Sequence, residues 1–231
     1  MKTTIDNLKI LYEDNHLIAI QKRPGDISQG DKTGDIPLGD IVKEYIKKRD
    51  EKPGNVFLGV IHRIDRPTSG VILFAKTSKG LERMTNEFKA RRVEKKYWAI
   101  VEGHLKQSKI SLRNYLLKNN DRNRSYVVEA ERKGAKEAVS HIQVLATGDN
   151  YSLVEVHIET GRHHQIRTHL SSLGHPIKGD VKDGARRSNK DLSIDLLAKE
   201  VKFEHPVKKE PIRIIAENPI NKIWSDLTRG L

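Results

Sequence analysis

Residues 59–76, which read GVIHRIDRPTSGVILFAK, constrain the fold more than any other part of the sequence. An apolar run at 56–61 enters this segment, and a wholly apolar run at 71–75 leaves it. Both runs are short, rich in β-branched residues and bounded by Gly or Pro, which is typical of buried strands. Pro67 fixes its own φ, and Gly70 permits a tight turn or a close backbone approach. The pattern predicts that Asp65 lies on a stiff loop between two core strands.

Asp65 on its own is equally consistent with a turn residue that pairs with Arg63 or Arg66, since Asp favours turns for local hydrogen-bonding reasons. The whole string favours a specific function. HRIDRPTSG followed by VILFAKT resembles the central motif of the RluA-type pseudouridine synthases, in which HRLD and two variable residues precede TSG. Ile64 in place of Leu is the one change within the fixed letters. The resemblance implies an RNA pseudouridine synthase, an isomerase, with Asp65 as its nucleophile.

Two further segments resemble motifs of the same family. Residues 95–103, KKYWAIVEG, match KxYxAxVxG, and the resemblance places Tyr97 against the target uracil. Residues 161–169, GRHHQIRTH, match GRxHQIRxH, whose Arg pairs with the catalytic Asp. Arg167 is the first choice for that Arg and Arg162 the second. Helical spacing puts His164 and Arg167 on one side, at i,i+3. The expected RNA-binding residues are Arg63, Arg66, Arg162, His164, Gln165, Lys95 and Lys96.

Two motifs depart from the family pattern. The first motif, usually NKP followed closely by Gly, reads QKRPG at 21–25, so no catalytic role is assigned to it. The family's GDxxYG reads GDVKDG at 179–184, where Asp183 replaces the aromatic residue. This replacement removes any ring contact at that position but leaves the Asp, Tyr and Arg set intact.

The charge of the chain agrees with RNA as its partner. Forty-three Lys and Arg against 31 Asp and Glu leave a formal charge of +12, which favours polyanions, although charge alone names no substrate. The chain has no Cys, which suits a reducing compartment, and its first 20 residues lack the apolar core of a signal peptide. We therefore expect a cytoplasmic location away from membranes. A monomer without an obligate protein partner is the default expectation, and no step of the reaction that the resemblance implies needs a cofactor or metal.

The hydrophobic patterns predict an α+β fold. Strands are expected at 8–12, 16–20, 95–103, 138–147, 151–159, 199–203 and 212–216, and helices at 37–49, 78–92, 221–227 and from about 165 to 170. The segment 103–134 is basic and is interpreted as hairpins and loops facing RNA. By resemblance, residues 1–231 form a single catalytic domain with a mixed, mostly antiparallel sheet and a central active-site cleft, without the N-terminal accessory RNA-binding domain of longer members.

Two alternatives stay open at this stage, and a third is disfavoured. A catalytically silent RNA-binding protein of the same fold would explain the charge, but not the intact Asp, Tyr and Arg set. A metal-free ribonuclease could use His62 and His164 as acid and base, which leaves Asp65 idle. A zinc site from His163, His164 and His169 is disfavoured, because this spacing does not bring three histidines to one helical face.

Overall fold

The structure is a computed structural model, and it describes residues 2–31 and 33–231. The α-helices of these residues are α1 (Leu38–Arg49), α2 (Ser78–Lys89), α3 (Gln165–Ser172) and α4 (Lys222–Leu227). The strands are β1 (Ile10–Glu13), β2 (Leu17–Lys22), β3 (Gly59–Val60), β4 (Ser69–Ala75), β5 (Glu94–Glu102), β6 (Lys109–Asn119), β7 (Arg124–Val128), β8 (Lys136–Thr147), β9 (Tyr151–Ile158), β10 (Leu196–Glu204) and β11 (Pro211–Ile215). The α+β class with a mostly antiparallel sheet is confirmed.

The chain divides into two compact units. Unit 1 comprises Met1–Glu94 and Ala198–Glu217, and unit 2 comprises Lys95–Leu197 and Asn218–Leu231. The single catalytic domain and its central cleft stay predictions, and each unit is described by itself. Within the described residues, no helix combines the length and the apolar character needed to cross a membrane.

Unit 1 is built on the buried strand β4. Every residue of β4 is buried, and β2 pairs antiparallel with it from Leu17 opposite Ala75 to Lys22 opposite Gly70. β1 continues the sheet beyond β2, and β11 pairs antiparallel with β10. Helix α1 packs on this sheet through Leu38, Val42 and Ile46, the inward positions of its helical pattern. The loop that carries Asp65 therefore starts from a rigid layer.

Gly70 is the residue that ties β4 to β10. Its φ of +117° is one that L side chains rarely adopt, and an added Cβ would lie 2.3 Å from the carbonyl oxygen of Ala198. Glycine permits the strands to approach this closely. The Thr-Ser-Gly turn is therefore constrained by packing as well as by its position next to Asp65.

We expect Gly70→Ala to be strongly destabilising, because the new methyl group clashes with backbone that cannot move away. Gly25→Ala is the matched control. Gly25 also has a positive φ of +92°, but no atom lies within 4 Å of an added Cβ. Thermal unfolding should show a loss of roughly 1–2 kcal/mol for Gly25→Ala, from backbone strain alone, and a clearly larger loss for Gly70→Ala. Equal losses would show that the contact with Ala198 is unimportant.

Unit 2 is an antiparallel sheet with the strand order β5-β9-β8-β6-β7. One face of β5 supplies Tyr97, Ala99 and Val101 to the core, which confirms the alternation predicted for this strand. Helix α3 covers that core with Ile166 and Leu170, also as predicted. The hairpin of β8 and β9 is confirmed as well, and it leads directly to the loop before α3.

Some predicted boundaries were wrong. The apolar run at 56–61 forms only the two-residue strand β3. Helix α2 begins at Ser78 as predicted but ends at Lys89 instead of Arg92. Its N-cap is Thr77, whose hydroxyl accepts a hydrogen bond from Gly80 N at 3.1 Å. Within the segment 103–134, which was interpreted as hairpins and loops, β6 and β7 form one long hairpin.

Candidate active site

Asp65 lies in unit 1 on the loop between β3 and β4, and it is half-buried. Its carbonyl oxygen accepts a hydrogen bond from Thr68 N at 3.0 Å, which closes a turn at 65–68. This turn lies earlier than the Pro67–Gly70 segment in which the sequence placed it, because Ser69 and Gly70 already belong to β4. The preceding residue, Ile64, is buried, and its carbonyl oxygen accepts a hydrogen bond from Ser28 Oγ at 2.9 Å. The backbone is thus fixed on both sides of the carboxylate.

The buried side chain of Lys22 also fixes the backbone of this loop. Its Nζ donates hydrogen bonds to three carbonyl oxygens, those of Arg23 at 3.0 Å, Arg66 at 3.0 Å and Thr68 at 2.7 Å. Burial lowers the pKa of Lys22 to about 7, and the nearby carboxylates of Asp26 and Asp65 act in the opposite direction. The sequence pattern gave this Lys no role, because nothing in its spacing reveals which carbonyls it contacts.

Lys22→Met should destabilise the protein by about 3 kcal/mol, because three carbonyl oxygens, of which that of Thr68 is buried, lose their donor. Urea unfolding of the variant measures this loss. Lys43→Met is the matched control, since Lys43 is exposed and pairs only with Asp40 on the surface of α1. A loss no larger than that of the control would contradict the role given to Lys22.

The stability difference should also depend on pH. The folded-state pKa of Lys22, about 7, lies below the value of an unfolded chain, so between about 7 and 10 the unfolded state binds more protons. Wild-type stability therefore rises with pH across this range relative to Lys22→Met. The gap between the two proteins should widen from pH 7 to pH 10.

Arg63 and Arg66 flank Asp65 but hold different partners. Arg63 is exposed and its Nη1 donates to Gln29 Oε1 at 3.1 Å. Arg66 is half-buried and forms an ion pair with Asp35, and its Nη1 also donates to Thr33 Oγ1 at 3.2 Å. Both contacts tie the Asp65 loop to the polar loop that follows β2.

Tyr97 and Arg167 lie in unit 2. Tyr97 is half-buried near the start of β5, opposite Val156 of β9, with its ring against the unit 2 core. On the other face of β5, Lys96 Nζ lies 3.4 Å from Glu155 Oε1, and Trp98 Nε1 donates to Glu155 Oε2 at 3.2 Å. Lys95 is half-buried beside them.

Arg167 is buried in the first turn of α3 and is held by three side chains of unit 2. Its Nε and Nη2 donate to the two oxygens of Asp180 at 2.6 and 2.7 Å, a bidentate pair. Its Nη1 lies 2.9 Å from His164 Nε2, which confirms the predicted i,i+3 contact. Its Nη2 also lies 3.1 Å from Asp183 Oδ2. The sequence motif quoted Asp180 and Asp183 without revealing that both carboxylates face Arg167.

His164 is the N-cap residue of α3 and has a left-handed backbone, with φ of 52°. Such a conformation is uncommon outside glycine, although His is among the residues that adopt it most readily. Burial, and then the charge of Arg167, lower the pKa of His164 to about 2. His164 is therefore neutral at neutral pH, so it cannot be the protonated acid in the ribonuclease alternative.

Gln165 and Arg162 hold the loop that leads into α3. The buried amide of Gln165 accepts from Thr160 Oγ1 and Arg162 N, and donates to Val139 O and Ser140 Oγ. Arg162 is half-buried, and its Nε donates to Glu137 O at 2.8 Å. The chain itself thus occupies the amide of Gln165, and the RNA contacts implied for these two residues stay predictions.

The three histidines of the zinc alternative are engaged separately. His163 and His164 stack with ring centroids 3.8 Å apart, and His169 Nδ1 lies 2.9 Å from Ser140 Oγ. In the part of the chain that the structure describes, no group of three or more His, Asp or Glu has the arrangement of a metal site.

Comparison with known proteins identifies the family of this chain. The sequence profile described as RNA pseudouridylate synthase matches residues 16–172, more than half of the chain and including the segments around Asp65, Tyr97 and Arg167. The chain belongs to the RNA pseudouridylate synthase family. It is an isomerase that acts on RNA and converts uridine to pseudouridine.

Relatives of known sequence and structure agree with this membership. The chain is 33% identical to the ribosomal large subunit pseudouridine synthase C of Buchnera aphidicola subsp. Baizongia pistaciae, over 98% of this chain and 71% of that protein. It is 36% identical to the tRNA pseudouridine synthase C of Haemophilus ducreyi, over 90% of each. The solved structure of human RNA pseudouridylate synthase domain containing 4 superposes with a TM-score of 0.77 at 25% identity, over 92% of this chain and 89% of that one.

Proposed function

We propose that the chain isomerises one or a few specific uridines in structured ribosomal or transfer RNA, with Asp65 as the nucleophile. The observation that carries this proposal is the Asp65 loop. The buried Lys22 side chain and two further hydrogen bonds fix the backbone on both sides of the half-buried Asp65 carboxylate. A nucleophile must be held in one orientation to attack at a useful rate. The relatives named above act on ribosomal RNA in one case and transfer RNA in the other, which supports both substrate classes.

The reaction requires the N1–C1′ bond of uridine to break, the uracil to turn, and a C5–C1′ bond to form. The proton at C5 leaves to solvent and N1 gains one, so the product has the mass of the substrate. A uracil within folded RNA must first be flipped out of its stack. In this proposal Tyr97 packs on the flipped base, Arg167 orients the Asp65 carboxylate, and Arg63 fills the gap left in the RNA. We propose no cofactor for any of these steps.

The RNA contacts are assigned to the basic side of unit 2 and to the flanks of the motifs. Hairpin β6–β7 and the turn after it carry exposed Lys109, Lys118, Arg122, Arg132 and Lys133. Such residues attract phosphates irrespective of sequence and make affinity fall steeply with salt. Arg66, Arg162, His164, Gln165, Lys95 and Lys96 stay candidates for contacts near the target uridine. We further propose that the protein works as a cytoplasmic monomer.

A pseudouridine map of total RNA tests the substrate assignment. Carbodiimide-dependent reverse-transcription stops are compared between cells with the gene, cells without it, and cells complemented with wild type or Asp65→Asn. One or a few stops should vanish with the gene and return only with wild type. Stops that persist without the gene under all growth conditions would contradict the proposal.

A further inference from the structure

Asp183, which stands where the family usually has an aromatic residue, is buried next to Arg167. Its Oδ1 accepts a hydrogen bond from Arg124 Nε of β7 at 2.8 Å. Its Oδ2 lies 3.1 Å from Arg167 Nη2 and 3.8 Å from His164 Nδ1. The carboxylate therefore connects the guanidinium of the predicted RNA-facing hairpin to the guanidinium at the active site.

Arg124 reaches this position through several contacts of its own strand. Its guanidinium stacks over the Tyr126 ring at 5.1 Å from the centroid, and its side chain is about one third exposed. The neighbouring Ser125 Oγ donates to His163 O at 2.7 Å, and Ser125 O accepts from Thr168 Oγ1 at 3.3 Å. Strand β7 is thus fastened to both sides of the α3 N-terminus, which keeps Arg124 within reach of Asp183.

We propose that Asp183 and Arg124 form a positioning pair for Arg167, in which Asp183 is the second carboxylate that orients the guanidinium and Arg124 holds that carboxylate in place. Asp180 holds Arg167 along one edge. Asp183 adds a second negative charge beside Nη2 of Arg167, and the positive charge of Arg124 balances it. The inference rests on the proposed role of Arg167 and goes beyond it, since neither Asp183 nor Arg124 touches the substrate in it.

Stability does not account for a carboxylate at this position. Burial, and then the charge of Asp180, raise the pKa of Asp183, whereas Arg167 and Arg124 lower it by less. Because the folded-state pKa is raised, ionised Asp183 is less favourable in the folded protein than in water. A buried charge that the fold does not gain from is expected where function needs it. The other group facing Asp183, His164, is neutral.

The test is kcat as a function of pH for Asp183→Asn and Arg124→Gln on RNA that wild type modifies. At neutral pH, Asp183→Asn should lower kcat about tenfold with little change in KM, because Arg167 is held less firmly. A melting curve confirms that the variant is folded. In wild type, kcat should fall on the acidic side as Asp183 takes up its proton, and Asp183→Asn should lack this step.

Arg124→Gln should keep this step in kcat but move it to higher pH. Loss of the guanidinium removes an interaction that lowers the pKa of Asp183, so protonation occurs at higher pH and the step in kcat moves upward. Arg122→Gln is the matched control: it removes the same charge from the same hairpin, and we expect a higher KM but no shift of the step. An Asp183→Asn pH profile parallel to that of wild type would overturn the proposal, as would an equal shift in Arg124→Gln and Arg122→Gln.

A readout without RNA separates this inference from the proposed function. The side-chain carboxyl carbon of Asp183, assigned by its absence in Asp183→Asn, can be titrated by ¹³C NMR. We expect a raised pKa in wild type and a further increase in Arg124→Gln. An unchanged pKa in Arg124→Gln would refute the pair even if the enzyme is active. Absence of isomerisation on every RNA would refute the proposed function while this titration still decides the pair.

Discussion

Asp65→Asn should abolish pseudouridine formation, lowering turnover by at least about 10⁴-fold, because an amide cannot act as the nucleophile. The backbone of the loop should keep its hydrogen bonds between Asp65 and Thr68, from Ser28 and from Lys22. RNA affinity should therefore stay close to that of wild type. Single-turnover assays and filter binding on one transcript measure the two quantities side by side.

Asp40→Asn is a suitable control for this variant. Asp40 is an exposed residue of α1 whose partner is Lys43, so the variant loses the same charge away from the Asp65 loop. Its turnover should match that of wild type. If Asp65→Asn loses RNA binding and turnover by the same factor, the carboxylate acts in binding and the nucleophile must be sought elsewhere.

Arg167→Lys should be the second most damaging change, with a loss in kcat of about 10²-fold or more. Arg167 uses Nε and Nη2 for the two oxygens of Asp180 and Nη1 for His164. A lysine ammonium is a single point and cannot satisfy these partners in their present arrangement. The measurement is kcat under saturating RNA, with a melting curve to confirm that the variant is folded.

Arg162→Lys distinguishes the two arginines of the motif. Arg162 donates one hydrogen bond from Nε to the backbone carbonyl of Glu137, a contact that a single ammonium can imitate more easily. Its loss in kcat should be clearly smaller than that of Arg167→Lys. The reverse order would transfer the role of orienting Asp65 from Arg167 to Arg162.

Much of the fold could be predicted from local pattern. The β8–β9 hairpin, α1, α3 and the alternation of β5 all follow from periodicity that the burial of their residues bears out. The β6–β7 hairpin was harder to predict, because the alternation of exposed and half-buried residues in β6 is interrupted at 114–117. Its strands depend on pairing with β8, which no short window of sequence contains.

The residues of the candidate site also differ in how far the sequence predicts them. The resemblance of three segments to family motifs identified Asp65, Tyr97 and Arg167 as candidates. The residues that fix these candidates were less visible. Lys22 contacts carbonyls 44 and 46 positions away, and Asp183 is joined to Arg124 across 59 positions. Such contacts are created by the tertiary fold, so their partners cannot be identified from spacing.

Tritium release from RNA carrying 5-³H-uridine tests the central claim most directly. Forming the C5–C1′ bond expels the C5 hydrogen, so purified wild type should release tritium to water while the RNA keeps its full length on a denaturing gel. Asp65→Asn should bind the same RNA and release none. Cleaved RNA, or tight binding by wild type without tritium release on every transcribed RNA tested, would contradict the account.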